Sequence, residues 1–224
     1  MRHLRQGLLF SCAEQLGYVR WRILTRGGRR LRYIQRDEAL TGANDYSRDA
    51  FATYRPLKRV RWTLLMLASV PDKDKESLLI VGPRFESEFL IAEGLGWKRS
   101  SIFGLDLLAY SRRVTLGNMH AIPFPDEGFS HIACGWTLSY SREPNVAARE
   151  MVRVLAPGGY LVLGVEVVDR ERTSHLPGVL GAEERIQSRD DFRRIFSSLD
   201  LCSYVSSGVG GNAVVLMRKP QPID

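Results

Sequence analysis

The stretch Leu78-Leu79-Ile80-Val81-Gly82-Pro83-Arg84-Phe85-Glu86-Ser87-Glu88 runs four apolar residues into a glycine and then into a charged turn. A buried strand that ends in glycine hands the chain to a turn where backbone can approach a ligand closely, because no Cβ stands in the way. The residues that follow narrow the ligand. A dinucleotide rests its pyrophosphate on glycine amides at a helix N-terminus, and carboxylates from Glu86 and Glu88 in that first turn would repel it, which argues against NAD or FAD. Twenty-four residues beyond Gly82, a second apolar run closes at Gly104-Leu105-Asp106. An acidic side chain at that spacing can accept hydrogen bonds from both hydroxyls of a ribose.

These residues face one ligand only if an alternating framework holds them. Apolar runs at 78–81, 101–107 and 131–138 and a strand pattern at 160–168 alternate with helical segments at 86–94, 145–155 and 190–199. Two terminal strands follow at 202–205 and 213–217. Strands separated by helices predict parallel βαβ units, hence an α/β fold with ligands at the carboxyl ends of the strands. Upstream, three- and four-residue apolar spacing predicts one or two helices over 5–36, broken at Gly27-Gly28, and an amphipathic helix over 57–67. The polar connector from Pro71 to Glu76 places a domain boundary near residue 71, dividing a basic, mainly helical extension (1–70) from the α/β domain (71–220).

Composition sets outer limits. The chain has 224 residues, 44% of them hydrophobic, with four Trp, an ordinary globular balance. Cys12, Cys134 and Cys202 are odd in number, far apart and without a CxxC, which argues against a disulfide framework or structural zinc. The four histidines lack ligand spacing, so no metal site is expected. Arg2 and Arg5 before Leu8-Leu9-Phe10 imitate a leader, but that apolar core is too short, and no run approaches the length of a bilayer span. A cytoplasmic protein is expected. Charge is uneven: residues 1–61 hold 14 Lys/Arg against 5 Asp/Glu, a net of +9 within a total of +7. The densest part, Arg20 to Arg36, has no acid, which suits an anionic substrate, an acidic partner or an anionic membrane face, or serves only as a solvated surface. No RNA-binding signature accompanies it, so nucleic acid is the least supported partner.

The segment from Gly117 through Asn118, Met119 and His120 to Pro123-Phe124-Pro125-Asp126-Glu127-Gly128-Phe129-Ser130 resembles the G-D-A-x-x-L-P-F-x-D-x-S-F-D stretch of class I S-adenosylmethionine-dependent methyltransferases, of the small-molecule type 11 kind. Glu150-Met151-Val152-Arg153-Val154-Leu155-Ala156-Pro157-Gly158-Gly159 is similar to that family's E-x-x-R-V-L-K-P-G-G, and with the first two strand ends the similarity covers 78–168 in order. The resemblance implies a Rossmann-like seven-stranded, mostly parallel sheet whose two closing strands are joined by the turn at 207–212, and S-adenosylmethionine as cofactor. It further implies that Gly82 admits the methionine moiety, Asp106 holds the ribose, Leu107 packs on adenine, and Asn118, in the usual aspartate position, accepts from the adenine amino group. Met119 and Trp136 either line the site or simply pack the core. The first motif departs from the family's acid-x-G-x-G-x-G at Ile80, Arg84 and Glu86. That turn then either pairs Glu86 with the ammonium and Arg84 with the carboxylate of the methionine end, or binds nothing, leaving an inactive binding module that uses its arginines.

Methyl transfer is an in-line displacement that asks the protein to position two reactants and sometimes to remove a proton. Glu166, His120 and Tyr140 are the candidate bases; His131 enters its strand and is expected on the far side. The N/D-P-P-Y/F signature of amino-methylating nucleic-acid enzymes is missing after the fourth strand, so O-methylation of a small, acidic acceptor is favoured. The extension and the polar insert over 169–190 are expected to select that acceptor. Oligomeric state is not legible.

Overall fold

The computed structural model describes residues 2–26, 32–33, 52, 54, 60–70, 76–167, 188–208 and 211–222. Much of Arg20–Arg36, and the insert as far as residue 187, therefore lies outside the described residues.

Leu78–Val81 is buried at every position, as a strand covered on both faces must be, and it forms β2 at the centre of the sheet. The chain order is α1 (Arg2–Arg26), β1 (Arg32–Tyr33), α2 (Val60–Ala68), β2, α3 (Glu86–Gly94), β3 (Ile102–Asp106), β4 (Leu108–Ala109), β5 (Val114–Leu116), β6 (Phe129–Gly135), α4 (Pro144–Val154), β7 (Leu155–Glu166), α5 (Arg189–Ile195), β8 (Asp200–Ser206) and β9 (Asn212–Arg218). A seven-stranded sheet runs β5-β3-β2-β6-β7-β9-β8, and β1 pairs separately with β4. Strands β5, β3, β2, β6 and β7 are mutually parallel; β9 runs against β7, and β8 against β9. The expected Rossmann-like sheet is present, with the refinement that only β9 opposes the common direction. Chain order reverses between β2 and β6, which is where such a sheet opens a crevice.

Alternate residues of each strand feed two cores. On one face Leu79, Val81, Ile132, Cys134, Leu161 and Leu163 meet Ala147, Ala148 and Met151 of α4 and Phe192 of α5. On the other, Leu78, Ile80, Ala133 and Val162 meet Leu64 and Leu67 of α2, Phe89 and Ala92 of α3, and Ala13 of α1. The elements before residue 71 thus share a core with the sheet. Helix α1 reaches Arg26 without interruption and lies on α3, with Gly17 so close that a Cβ there would stand 2.9 Å from Ser87 Cβ. Glu14 of α1 pairs with Arg61, and the Tyr54 hydroxyl donates to the Glu14 carbonyl at 2.8 Å.

Boundaries differ from the sequence pattern at three places. Strand β5 has three residues and β1 and β4 two each, too short for an alternation to register. Strand β7 begins directly at the end of α4, so the Pro157-Gly158-Gly159 stretch lies within it. Strand β6 stops at Gly135 because Trp136 takes a positive φ of 64°, which no strand continues.

Candidate functional site

The carboxyl ends of β2, β3 and β6 enclose a cleft of about 800 Å3 including its open mouth. Its first wall is the turn after β2. Gly82 has φ 74°, and its amide donates to the Leu105 carbonyl at 2.8 Å, tying the ends of β2 and β3 together. Opposite it, the Thr137 hydroxyl donates to the Val81 carbonyl at 3.2 Å. Only glycine adopts that φ readily, and a Cβ on Gly82 would collide with the Thr137 side chain.

Three charged groups converge on the cleft: Arg84, Glu88 and Asp106. The Arg84 amide donates to Glu88 Oε1 at 3.0 Å, while Glu88 Oε2 is buried with no hydrogen-bond partner. Asp106 Oδ1 accepts from the Leu108 amide at 2.9 Å. Burial pushes both carboxyl pKa values up to about 7, against hydrogen bonds from backbone amides and the nearby Arg84 charge that pull them down. Between about pH 4 and 7 the folded chain therefore holds protons that the unfolded chain has released. Stability of the ligand-free protein is expected to fall as pH rises through that interval, and the Asp106→Asn/Glu88→Gln variant to lose most of the slope. Melting temperature against pH for both proteins measures it; equal slopes would contradict the burial of these groups.

Leu107, Asn118 and Met119 form the adjoining wall, and Trp136, Tyr110, Val60 and Tyr140 the next. Trp136 is fixed by its amide donating to the Gly164 carbonyl at 2.6 Å and its Nε1 donating to Asn212 Oδ1 at 2.9 Å. The ring rests over Gly164, where a Cβ would come within 2.6 Å of it. Below the wall, Arg153 and Glu150 clamp the loop that carries Asn118. Arg153 donates to the carbonyls of Ile122 and Phe124 at 2.8 and 3.0 Å, and Glu150 accepts from the Ile122 amide at 2.7 Å. The E-x-x-R segment is thus a brace for the site and stands outside its lining.

Of the residues the sequence singled out, Gly82, Arg84, Asp106, Leu107, Asn118, Met119, Trp136 and Tyr140 line the cleft, and Glu86, His120 and Glu166 do not. Glu86 turns away: its Oε2 pairs with Arg20 at 3.2 Å and with Arg113 at 3.8 Å, and Glu88, two residues on, lines the cleft instead. The His120 ring folds back, with Nδ1 2.7 Å from Asn118 Oδ1 and Nε2 2.7 Å from Ser141 Oγ. Since the His120 amide also donates to Asn118 Oδ1 at 3.0 Å, that carbonyl is already engaged and is not the acceptor expected for an adenine amino group. Glu166 is exposed at the end of β7. His131, at the start of β6, is buried between Trp97 and Tyr160. Sequence reasoning missed Val60, Pro83, Glu88, Tyr110 and Thr137. Only Glu88, two residues from the one chosen, carried a readable signal.

The donor set fits a cation that bears a carboxylate. An ammonium would satisfy the buried Glu88 Oε2, and Arg84 would answer a carboxylate.

Residues 97–163 match the family model described as a methyltransferase domain. No curated protein matches the chain. Among solved structures, an S-adenosylmethionine-dependent methyltransferase from Aquifex aeolicus superposes with TM-score 0.54 at 18% identity, over 77% of this chain and 97% of that one. A [4+2]-cyclase, SpnF, superposes with TM-score 0.51 at 19% identity, over 94% and 97%. A chain of the complex between the Haloferax volcanii Trm112 methyltransferase activator and a methyltransferase gives TM-score 0.57 at 14% identity, over 80% and 96%. At these identities the likeness is one of fold, and the presence of a cyclase among the neighbours means that fold alone does not name a reaction.

Proposed function

We propose that this chain is a class I S-adenosylmethionine-dependent methyltransferase, a reading supported by the methyltransferase-domain match and the fold, and that it binds S-adenosylmethionine in the cleft at the ends of β2, β3 and β6 and methylates a small acceptor. The observation that carries the reading is the trio Arg84, Glu88 and Asp106 in one cleft, with Glu88 Oε2 buried and unsatisfied. When both carboxyls are ionised the trio sums to −1, which complements a ligand of net +1 and disfavours a dinucleotide. When bound, the cofactor supplies an electrophilic sulfonium methyl. Gly82 keeps the backbone open to its methionine end, Glu88 holds the ammonium, Arg84 the carboxylate and Asp106 the ribose, while Leu107, Asn118 and Met119 enclose the base.

Trp136 and Tyr140 wall the remaining side, where the acceptor enters and water is excluded. Of the three candidate bases Tyr140 alone lines the cleft; having first released its own proton to solvent, its phenolate takes the proton of an acceptor hydroxyl, and Tyr140→Phe is expected to lower kcat about a hundredfold with little change in KM. A small, anionic acceptor is supported by the +9 excess over residues 1–61. The test uses methyl-labelled S-adenosylmethionine with the protein and a fractionated cell extract. Label entering the low-mass anionic fraction supports the reading; label entering the protein or nucleic-acid fraction instead excludes a small acceptor.

A further inference from the structure

Helix α1 is apolar on two faces, and among the described residues only one of them is covered. Ala13 is buried, and Phe10, Trp21 and Leu24 pack on the core shared by α2 and α3. On the other side Leu8, Leu16, Val19 and Ile23 are 65, 55, 52 and 65% exposed, and Cys12 is exposed among them. Successive steps of about 100° place these five within an arc of about 80°, along about 22 Å of helix. A continuous apolar stripe of this kind is not an ordinary solvated face.

The charge around it selects what covers it. By sequence the helix carries Arg2, Arg5, Arg20, Arg22 and Arg26 against one acid, Glu14; Glu14 is paired with Arg61 of α2 and Arg20 with Glu86 of α3, and residues 1–61 as a whole carry a net +9. A second copy of the stripe would bring arginine against arginine, so self-association is opposed by the same residues that favour an anionic surface. The helix is not built to span: none among the described residues is long and apolar enough to cross a membrane. A stripe of leucine, valine and isoleucine in an arginine-rich helix has the make-up of a segment that lies in the plane of a lipid interface, apolar side chains in the acyl boundary and guanidinium groups at the phosphates.

We propose that α1 docks this protein on an anionic lipid surface through Leu8, Cys12, Leu16, Val19 and Ile23. This contact is independent of the cleft, since it uses the face of α1 opposite to the one that packs on α3. It places the domain at a membrane without inserting it.

The test is co-sedimentation of the full chain with vesicles of phosphatidylcholine, with and without added phosphatidylglycerol, for the wild type and for Leu16→Glu/Ile23→Glu. The wild type is expected to pellet with the anionic vesicles, far less with the neutral ones and less at high salt; the variant should bind at least about tenfold more weakly at an unchanged melting temperature. Should the variant fail to fold, Val19→Ser/Ile23→Ser gives the same comparison with smaller changes. The proposal is overturned if the wild type does not pellet with anionic vesicles, if a folded variant pellets equally, or if the wild type sediments as a dimer that the variant dissolves, which would identify the stripe as a contact between copies.

Discussion

Asp106→Ala should weaken binding of S-adenosylmethionine about 10- to 100-fold while leaving the protein folded. The carboxyl stands at the end of β3, fixed by the Leu108 amide, and lines the cleft, where the proposed function has it accept from the ribose. A hydrogen bond to a charged group contributes about 1.5–3 kcal/mol, and the alanine removes the acceptor altogether. Because burial raises this carboxyl's pKa to about 7, the fold gives up an unfavourably placed group in the variant, so melting temperature is expected to stay level or rise near neutral pH while affinity falls. Opposite signs for stability and binding distinguish loss of a ligand contact from general damage. Equilibrium dialysis with labelled cofactor and a melting curve on the same sample read both.

Gly82→Ala is the substitution expected to harm the fold most within the site. A left-handed backbone costs a residue with a side chain about 1–2 kcal/mol. At φ 74° the added Cβ would also overlap Thr137 Oγ1 and stand 2.8 Å from Thr137 Cβ, so β2 and the turn after β6 must move apart. Together these predict a loss of about 2–4 kcal/mol, or roughly 5–10 °C in melting temperature for a chain of this size, with cofactor binding lost. Thr137→Ala in the same chain removes the overlap with Oγ1 and Cγ2 but leaves its own Cβ at 2.8 Å and the backbone term unchanged, and should return less than half of the stability. No rescue would mean that the clash is relieved some other way.

The first βα turn and the alternation that follows are readable because long, fully buried strands such as β2 leave unbroken apolar runs, and because Asp106 sits at a fixed distance beyond them. What failed to show has physical causes. Glu86 and Glu88 are two residues apart, about 200° around a helix, so one faces the cleft and the other leaves it. Which one is decided by how α3 rotates under α1, where Gly17 lies against Ser87 and Arg20 captures Glu86, contacts more than sixty residues apart. His120 was placed beside the base by sequence order, yet its hydrogen bonds to Asn118 and Ser141 bend the ring out of the cleft. Val60 reaches the site only through tertiary packing of α2 on β6 and β7. Trp136 could be read as wall or core; the structure makes it both, buried and cleft-lining, through a backbone conformation that residue type gives no hint of.

The exposed stripe on α1 went unread for a related reason. Its apolar residues interleave with those of the buried face, so the helix shows no single-sided pattern until its neighbours are in place.

The central claim, that the cleft formed by Gly82, Arg84, Glu88 and Asp106 holds S-adenosylmethionine, is tested most directly by calorimetric titration of the purified chain at pH 8 with S-adenosylmethionine, S-adenosylhomocysteine and NAD. One-to-one binding of the first two, and none of NAD, is the predicted result. A folded sample that takes up neither, or that prefers NAD, would contradict it.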